Sequence, residues 1–137
     1  MADPLSVAAS AIAVLSTCIN CADTLYSLIK GIHNAPNDLL NLSNEVNHLK
    51  AVLDEATRFE EHNAAPTHLA ETLEGLLTEA KETLGELDDL VLRYKSGKLS
   101  LKRCVTWLCQ KDRAKALQKR LKHTRSTIVA LLTTNSA

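Results

Sequence analysis

Residues 5–29, LSVAASAIAVLSTCINCADTLYSLI, carry a single charged side chain, Asp23. Asp3 stands where an N-cap belongs, Pro4 suits a first helical position, and Gly31 suits a stop just past the end. Read as one helix, the stretch is about 37 Å long at about 1.5 Å per residue, which is enough to cross a bilayer. A helix with almost no charge on any face is either covered by other helices or placed in lipid.

The rest of the chain supplies the covering. Leu39, Leu42, Val46, Leu49, Leu53 and Ala56 recur at three- and four-residue steps and mark a second helix after the turn at 32–37. Asn63 and Pro66 punctuate the sequence. A third helix follows with Leu69, Leu73, Leu76, Ala80, Leu84, Leu87, Val91 and Tyr94 on one stripe. Gly75 and Gly85 weaken it, by about 1 kcal/mol each relative to Ala, in exchange for either close helix contact or bending. Leu99–Gln110 reads as a short extra helix or as the first turns of a fourth. That last helix carries Ala114, Leu117, Leu121, Thr124, Ile128 and Leu131.

Three prolines, four glycines and four aromatic residues in 137 leave an aliphatic, helix-forming composition with no βαβ alternation. The fold expected is all-α: a single domain over 1–137, built as an antiparallel four-helix bundle around the apolar N-terminal helix. No phosphate-binding loop, H-E-x-x-H or G-x-S-x-G motif occurs. The histidines (33, 48, 62, 68, 123) are scattered, and Asp88 and Asp89 are adjacent and point apart. No enzyme activity, cofactor or metal is expected. Cys18-x-x-Cys21 lacks the loops of a zinc ribbon and the βαβ setting of a redox motif, so all four cysteines are expected to be reduced, mostly buried thiols. With no basic leader and no lipidation motif, the expected location is cytoplasmic.

Net charge is zero but unevenly placed. Residues 31–90 hold 13 acids and three bases, whereas 91–137 hold 12 bases and one acid. Either the acidic and basic helices lie side by side, or the basic face serves an anionic surface or an acidic partner. Nucleic acid is disfavoured, because the run from Arg113 to Arg125 has no interleaved aromatic and no DNA-binding motif.

The charge-free run Leu5–Ala22 just reaches the length of a membrane span. Ser6, Ser10, Ser16, Thr17 and Asn20 suit a soluble resting state, and Ala8, Ala9, Ala11 and Ala13 allow close helix packing. The two roles are compatible in sequence: core helix at rest, membrane segment when released. The inserting residues would be Leu5, Val7, Ile12, Val14, Leu15, Ile19, Leu25, Leu28 and Ile29. Asp23 costs roughly 2.5–3.5 kcal/mol at mid-bilayer, so it belongs at the interface or in a pore.

The opening MADPLSVAASAIAVL resembles the start of fungal N-terminal domains on STAND-type, NLR-like receptors, the group that includes HeLo-like and SesA-like cell-death domains. GIHNAPNDLLNLSNEVNHLKAVL is similar to that group's loop and second helix. The pattern from Trp107 to Lys111, followed by KALQKRLKHTRSTIVALL, is similar to its last helix. The resemblance implies an N-terminal effector module of a larger immune-type receptor, one that forms homo-oligomers on activation. It further implies release of the N-terminal helix, pore formation or similar membrane damage, and movement to the plasma membrane in regulated cell death and heterokaryon incompatibility. Lys115, Lys119, Arg120, Lys122 and Arg125 would then hold anionic lipids. The trigger would come from a nucleotide-binding module in the same or another chain, since this one has neither a NACHT or NB-ARC region nor a Gly/Asn-rich amyloid motif. The alternative is a protein-binding adaptor or autoinhibitory bundle without membrane activity.

Overall fold

The computed structural model describes the backbone at 4–31, 37–62, 67–95 and 100–135, and side chains at 9–31, 37–58, 69–93 and 111–133. Four helices account for it: α1 (Pro4–Lys30), α2 (Asn37–His62), α3 (Thr67–Lys95) and α4 (Ser100–Asn135). The all-α bundle read from the apolar stripes is the fold observed. Pro4 opens α1, as its fixed φ and missing N–H allow. Asp3 lies outside the described residues. α1 stops at Lys30, and the Gly31 amide donates to the Ser27 carbonyl at 3.2 Å, closing an ordinary helical turn.

Each helix contributes one apolar stripe to a shared core. All six stripe residues of α2 are buried, as are Ala114, Leu117, Leu121, Thr124 and Ile128 of α4. In α3 the stripe differs at one place: Leu77 is buried and Leu76 only packs against the core edge. Leu131 is half-buried, and its neighbour Leu132 is the one packed against the core. Tyr94 lies outside the described side chains. Residues 100–110 form the first turns of α4 rather than a separate helix.

The arrangement is a square with crossed connectivity. α1 packs on α2 and α3, and α4 packs on the same two. Among the described residues α1 does not touch α4, nor α2 touch α3, so those pairs lie on the diagonals. Link lengths and ion pairs fix the directions. Residues 31–36 join α1 to α2 and 96–99 join α3 to α4, too few residues to run the length of a helix, so each of these packed pairs is antiparallel. Lys111 faces Asp38 and Arg125 faces Glu45, so α2 and α4 run parallel, which leaves α1 and α3 parallel as well.

One expectation about placement changes. The apolar helix is a corner of the bundle rather than its axis. It has two neighbours, and its outer side is open.

Candidate functional site

α1 has an apolar inner face and, on its outer face among Ser16, Asn20, Asp23 and Ser27, a line of exposed apolar side chains. Ala11, Val14, Cys18, Leu25 and Leu28 point inward and are buried. Ile12, Ile19 and Tyr26, seven residues apart, point outward and are 54%, 39% and 65% exposed. Residues seven apart on a helix share a face. Among the described residues α2, α3 and α4 each expose one large apolar side chain (Leu40, Leu92 and Val129), and α1 exposes three in a line. Asp23 lies exposed on the same side. Lys30 closes the line with its ammonium 5.9 Å from the Tyr26 ring, a cation–π contact.

The nine residues expected to enter a membrane therefore divide. Val14, Leu25 and Leu28 belong to the core, and Leu15 and Ile29 pack at its edge. Ile12 and Ile19 face outward. Leu5 and Val7 lie outside the described side chains. By length and composition Ala9–Lys30 is the one stretch apolar enough to span a bilayer among the described residues, and only a third of it is buried.

Polar ties join α1 to its neighbours only weakly. The Cys18 thiol donates to the Val46 carbonyl at 3.4 Å and the Cys21 thiol to the Leu84 carbonyl at 3.7 Å. Both cysteines are unpaired and buried. Burial, with Cys21 close by, pushes the Cys18 thiol up from 9.0 to about 12, against a small opposing pull from Lys50. Burial, then the Asp88 carboxylate, pushes the Cys21 thiol up to about 11. Both are protonated at neutral pH and poor nucleophiles. Cys104 and Cys109 lie outside the described side chains. Among the described residues no three His, Cys, Asp or Glu side chains converge as a metal site would require.

α4 is held differently. Arg125 Nε donates to Glu45 Oε1 of α2 at 2.6 Å, and Glu45 is only 7% exposed. Arg120 pairs with Glu86 of α3. Lys111 Nζ lies 4.0 Å from Asp38 Oδ2 of α2. Thus Arg120 and Arg125, two of the five cations expected to hold lipid, bind carboxylates of their own bundle. Lys115, Lys119 and Lys122 are exposed and, among the described residues, have no acidic partner. They share the outer face of α4 at i, i+4 and i+7. Because α1 and α4 are diagonal, this lysine face and the exposed apolar line of α1 look away from each other.

No sequence motif singles out Glu45, and the structure buries it. The signal available was its position beside Val46, on the shoulder of the apolar stripe. Its partner lies 80 residues away and leaves no local trace.

Comparison with curated proteins and with solved structures finds no significant match. One family model matches residues 2–135, nearly the whole chain, and its description is pigment biosynthesis cluster protein PigL N-terminal. The chain, a four-helix bundle whose first helix exposes a line of apolar side chains, belongs to the PigL N-terminal family.

Proposed function

We propose that the bundle is an N-terminal signalling and effector module of the HeLo-like kind. Its copies assemble on activation, and α1 leaves the bundle to enter a membrane. The observation that carries this reading is the line of exposed apolar side chains on the outside of α1. A helix that only completes a soluble core needs no such line; Ile12, Ile19 and Tyr26 form one.

The way the helices are tied supports it. Among the described residues every ion pair between helices joins α4 to α2 or α3, and none involves α1. Withdrawal of α1 breaks apolar contacts and two thiol hydrogen bonds, while α4 still clamps its two neighbours together. Lys115, Lys119 and Lys122 remain for anionic headgroups, each adding about 1 kcal/mol near such a surface. In the closed bundle they face away from α1, so both elements meet one membrane only after α1 has swung out. The PigL N-terminal description fits an N-terminal module ahead of further chain. The module would rest in the cytoplasm and move to the plasma membrane on activation.

Dye release from anionic liposomes tests the reading, with the protein clustered through a fused dimeriser and neutral liposomes as control. The informative variant is Ile12→Glu with Ile19→Glu, since both sites are exposed and tolerate charge in the folded bundle; charges at the buried Val14 would simply unfold it. Release that needs anionic lipid and vanishes in the variant is the expected result. No release from clustered, folded protein would overturn it. The exposed line on α1 would then be the docking face of an adaptor.

A further inference from the structure

The bundle carries two charged stripes of matching pitch. Lys115, Lys119 and Lys122 lie on the outer face of α4 at i, i+4 and i+7, and Glu82, Glu86 and Asp89 lie on the outer face of α3 at the same spacing. Glu82, Asp89 and the three lysines are exposed and, among the described residues, have no ion pair; Glu86 is half-buried and also holds Arg120. Within one molecule Glu86 reaches α4 through Arg120, and Glu82, Asp89 and the three lysines are left over on the exposed sides of their helices. Laid side by side between two molecules, each lysine meets a carboxylate to within one residue rise, about 1.5 Å, in either helix direction.

We infer that the α4 lysine stripe of one copy docks on the α3 carboxylate stripe of a second copy, and that this is the contact through which copies assemble. The occupant follows from charge. The domain has 16 basic and 16 acidic residues and no net charge, and residues 71–89 hold seven acids and one base while 111–125 hold seven bases and one acid. An anionic lipid would satisfy the lysines alone, whereas a second copy satisfies both stripes. Gly85 lies between Glu82 and Asp89, and a Cβ there would meet nothing within 4 Å, so the approach to α3 is unobstructed on that side. Arg93, one turn beyond Asp89, bounds the stripe. Exposed ion pairs are individually weak and screened by salt. The contact therefore forms when copies are held close together and lets go when they are dilute. The inference rests on the assembly step of the proposed function and gives it a surface.

The test is self-association of the full 137-residue protein, followed by amide NMR and sedimentation at low and high salt. Concentration-dependent shifts should fall on 82–89 and 115–122 and disappear at high salt. Reversing either stripe, with Lys115→Glu, Lys119→Glu and Lys122→Glu or with Glu82→Lys and Asp89→Lys, should weaken association by about tenfold or more. Mixing the two reversed proteins should restore it, which a folding defect cannot do. Association that survives both reversals, or shifts confined to Ile12, Ile19 and Tyr26, would overturn the inference, as would a wild-type protein that stays monomeric at low salt. Liposome release separates this from the parent reading. If wild-type protein associates through the stripes and releases no dye, the interface stands and the membrane role falls. If dye release requires clustering but survives Glu82→Lys with Asp89→Lys, which leaves the lysines for lipid untouched, the membrane role stands and this interface falls.

Discussion

Thr124 is the odd threonine among the described residues. Thr17, Thr24, Thr57, Thr78, Thr83 and Thr127 each donate their hydroxyl to the carbonyl four residues earlier. Thr124 is fully buried on the α4 stripe, and its Oγ1 has no partner among the described residues. A buried hydroxyl without a hydrogen bond costs about 1–3 kcal/mol in mutational data. Thr124→Val keeps the shape and removes that atom, so chemical denaturation should show a gain of about 1 kcal/mol; a loss would mean the hydroxyl is bonded in solution. The buried thiols make a prediction of opposite kind. Cys18 and Cys21 hold their protons more tightly when folded, with pKa values raised to about 12 and about 11. Above the ordinary thiol value the unfolded chain loses protons that the folded one keeps, so stability is complete at neutral pH and falls as pH rises through 9 toward 12. Melting temperatures across that range should drop less steeply in a Cys18→Ala, Cys21→Ala protein than in wild type. Equal slopes would remove the thiols from the explanation.

Among elements, α3 shows how far apolar periodicity reads and where it stops. Between Leu73 and Ala80 both Leu76 and Leu77 satisfy three- and four-residue steps, so the pattern is degenerate. Leu76 and Leu77 lie about equally far to either side of the arc defined by Leu73, Leu84 and Leu87, and packing selects Leu77. α2 holds the same ambiguity at Val52 and Leu53, where the stripe taken through Leu53 is the buried one and Val52 packs at the edge; all six of its stripe residues are in the core. The pairings of α4 were beyond local pattern, because Glu86 and Glu45 are 34 and 80 residues from their arginines. Removing the buried partner through Glu45→Ala should cost about 2 kcal/mol, the scale of a hydrogen bond to a charged group. A double-mutant cycle with Arg125→Ala checks that the loss belongs to the pair. The glycines of α3 were left open between contact and bending, and the structure gives them neither partner nor crowding. Both are exposed, and a Cβ at Gly75 or Gly85 would meet nothing within 4 Å. Gly75→Ala and Gly85→Ala should each stabilise by about 1 kcal/mol, the helix-propensity difference. They lie about 15 Å apart along the helix, so the gains should add. Denaturant midpoints of the two single variants and the double decide it, and a loss at either site would reveal a contact formed in solution.

At the scale of the molecule, the bundle divides into a clamped part and a removable part. α4 touches α2 and α3 and joins both by ion pairs, while α1 touches the same two helices with no ion pair to either among the described residues. Among the described residues α2 and α3 do not touch each other, so α4 is what packs against both once α1 is gone. Opening of α1 leaves α2 and α3 each ion-paired to α4, whereas loss of α4 would leave them on α1, whose polar ties to them among the described residues are two thiol hydrogen bonds. Local opening free energies follow such differences in connectivity. Native-state hydrogen exchange should therefore find the amides of 11–28 exchanging through a sub-global opening of lower free energy than those of 114–128. Cys18 and Cys21 provide an independent reporter, since their thiols face the surfaces α1 would leave and are shielded until it does. Alkylation of these two cysteines, followed by mass spectrometry of their peptide, should proceed by that same opening free energy once the intrinsic thiol rate is divided out. Coincidence of the two values would identify the reactive state as a bundle with α1 detached. Thiol protection that matches global unfolding instead would mean that all four helices come apart together, and the membrane role would then need a partner to extract α1.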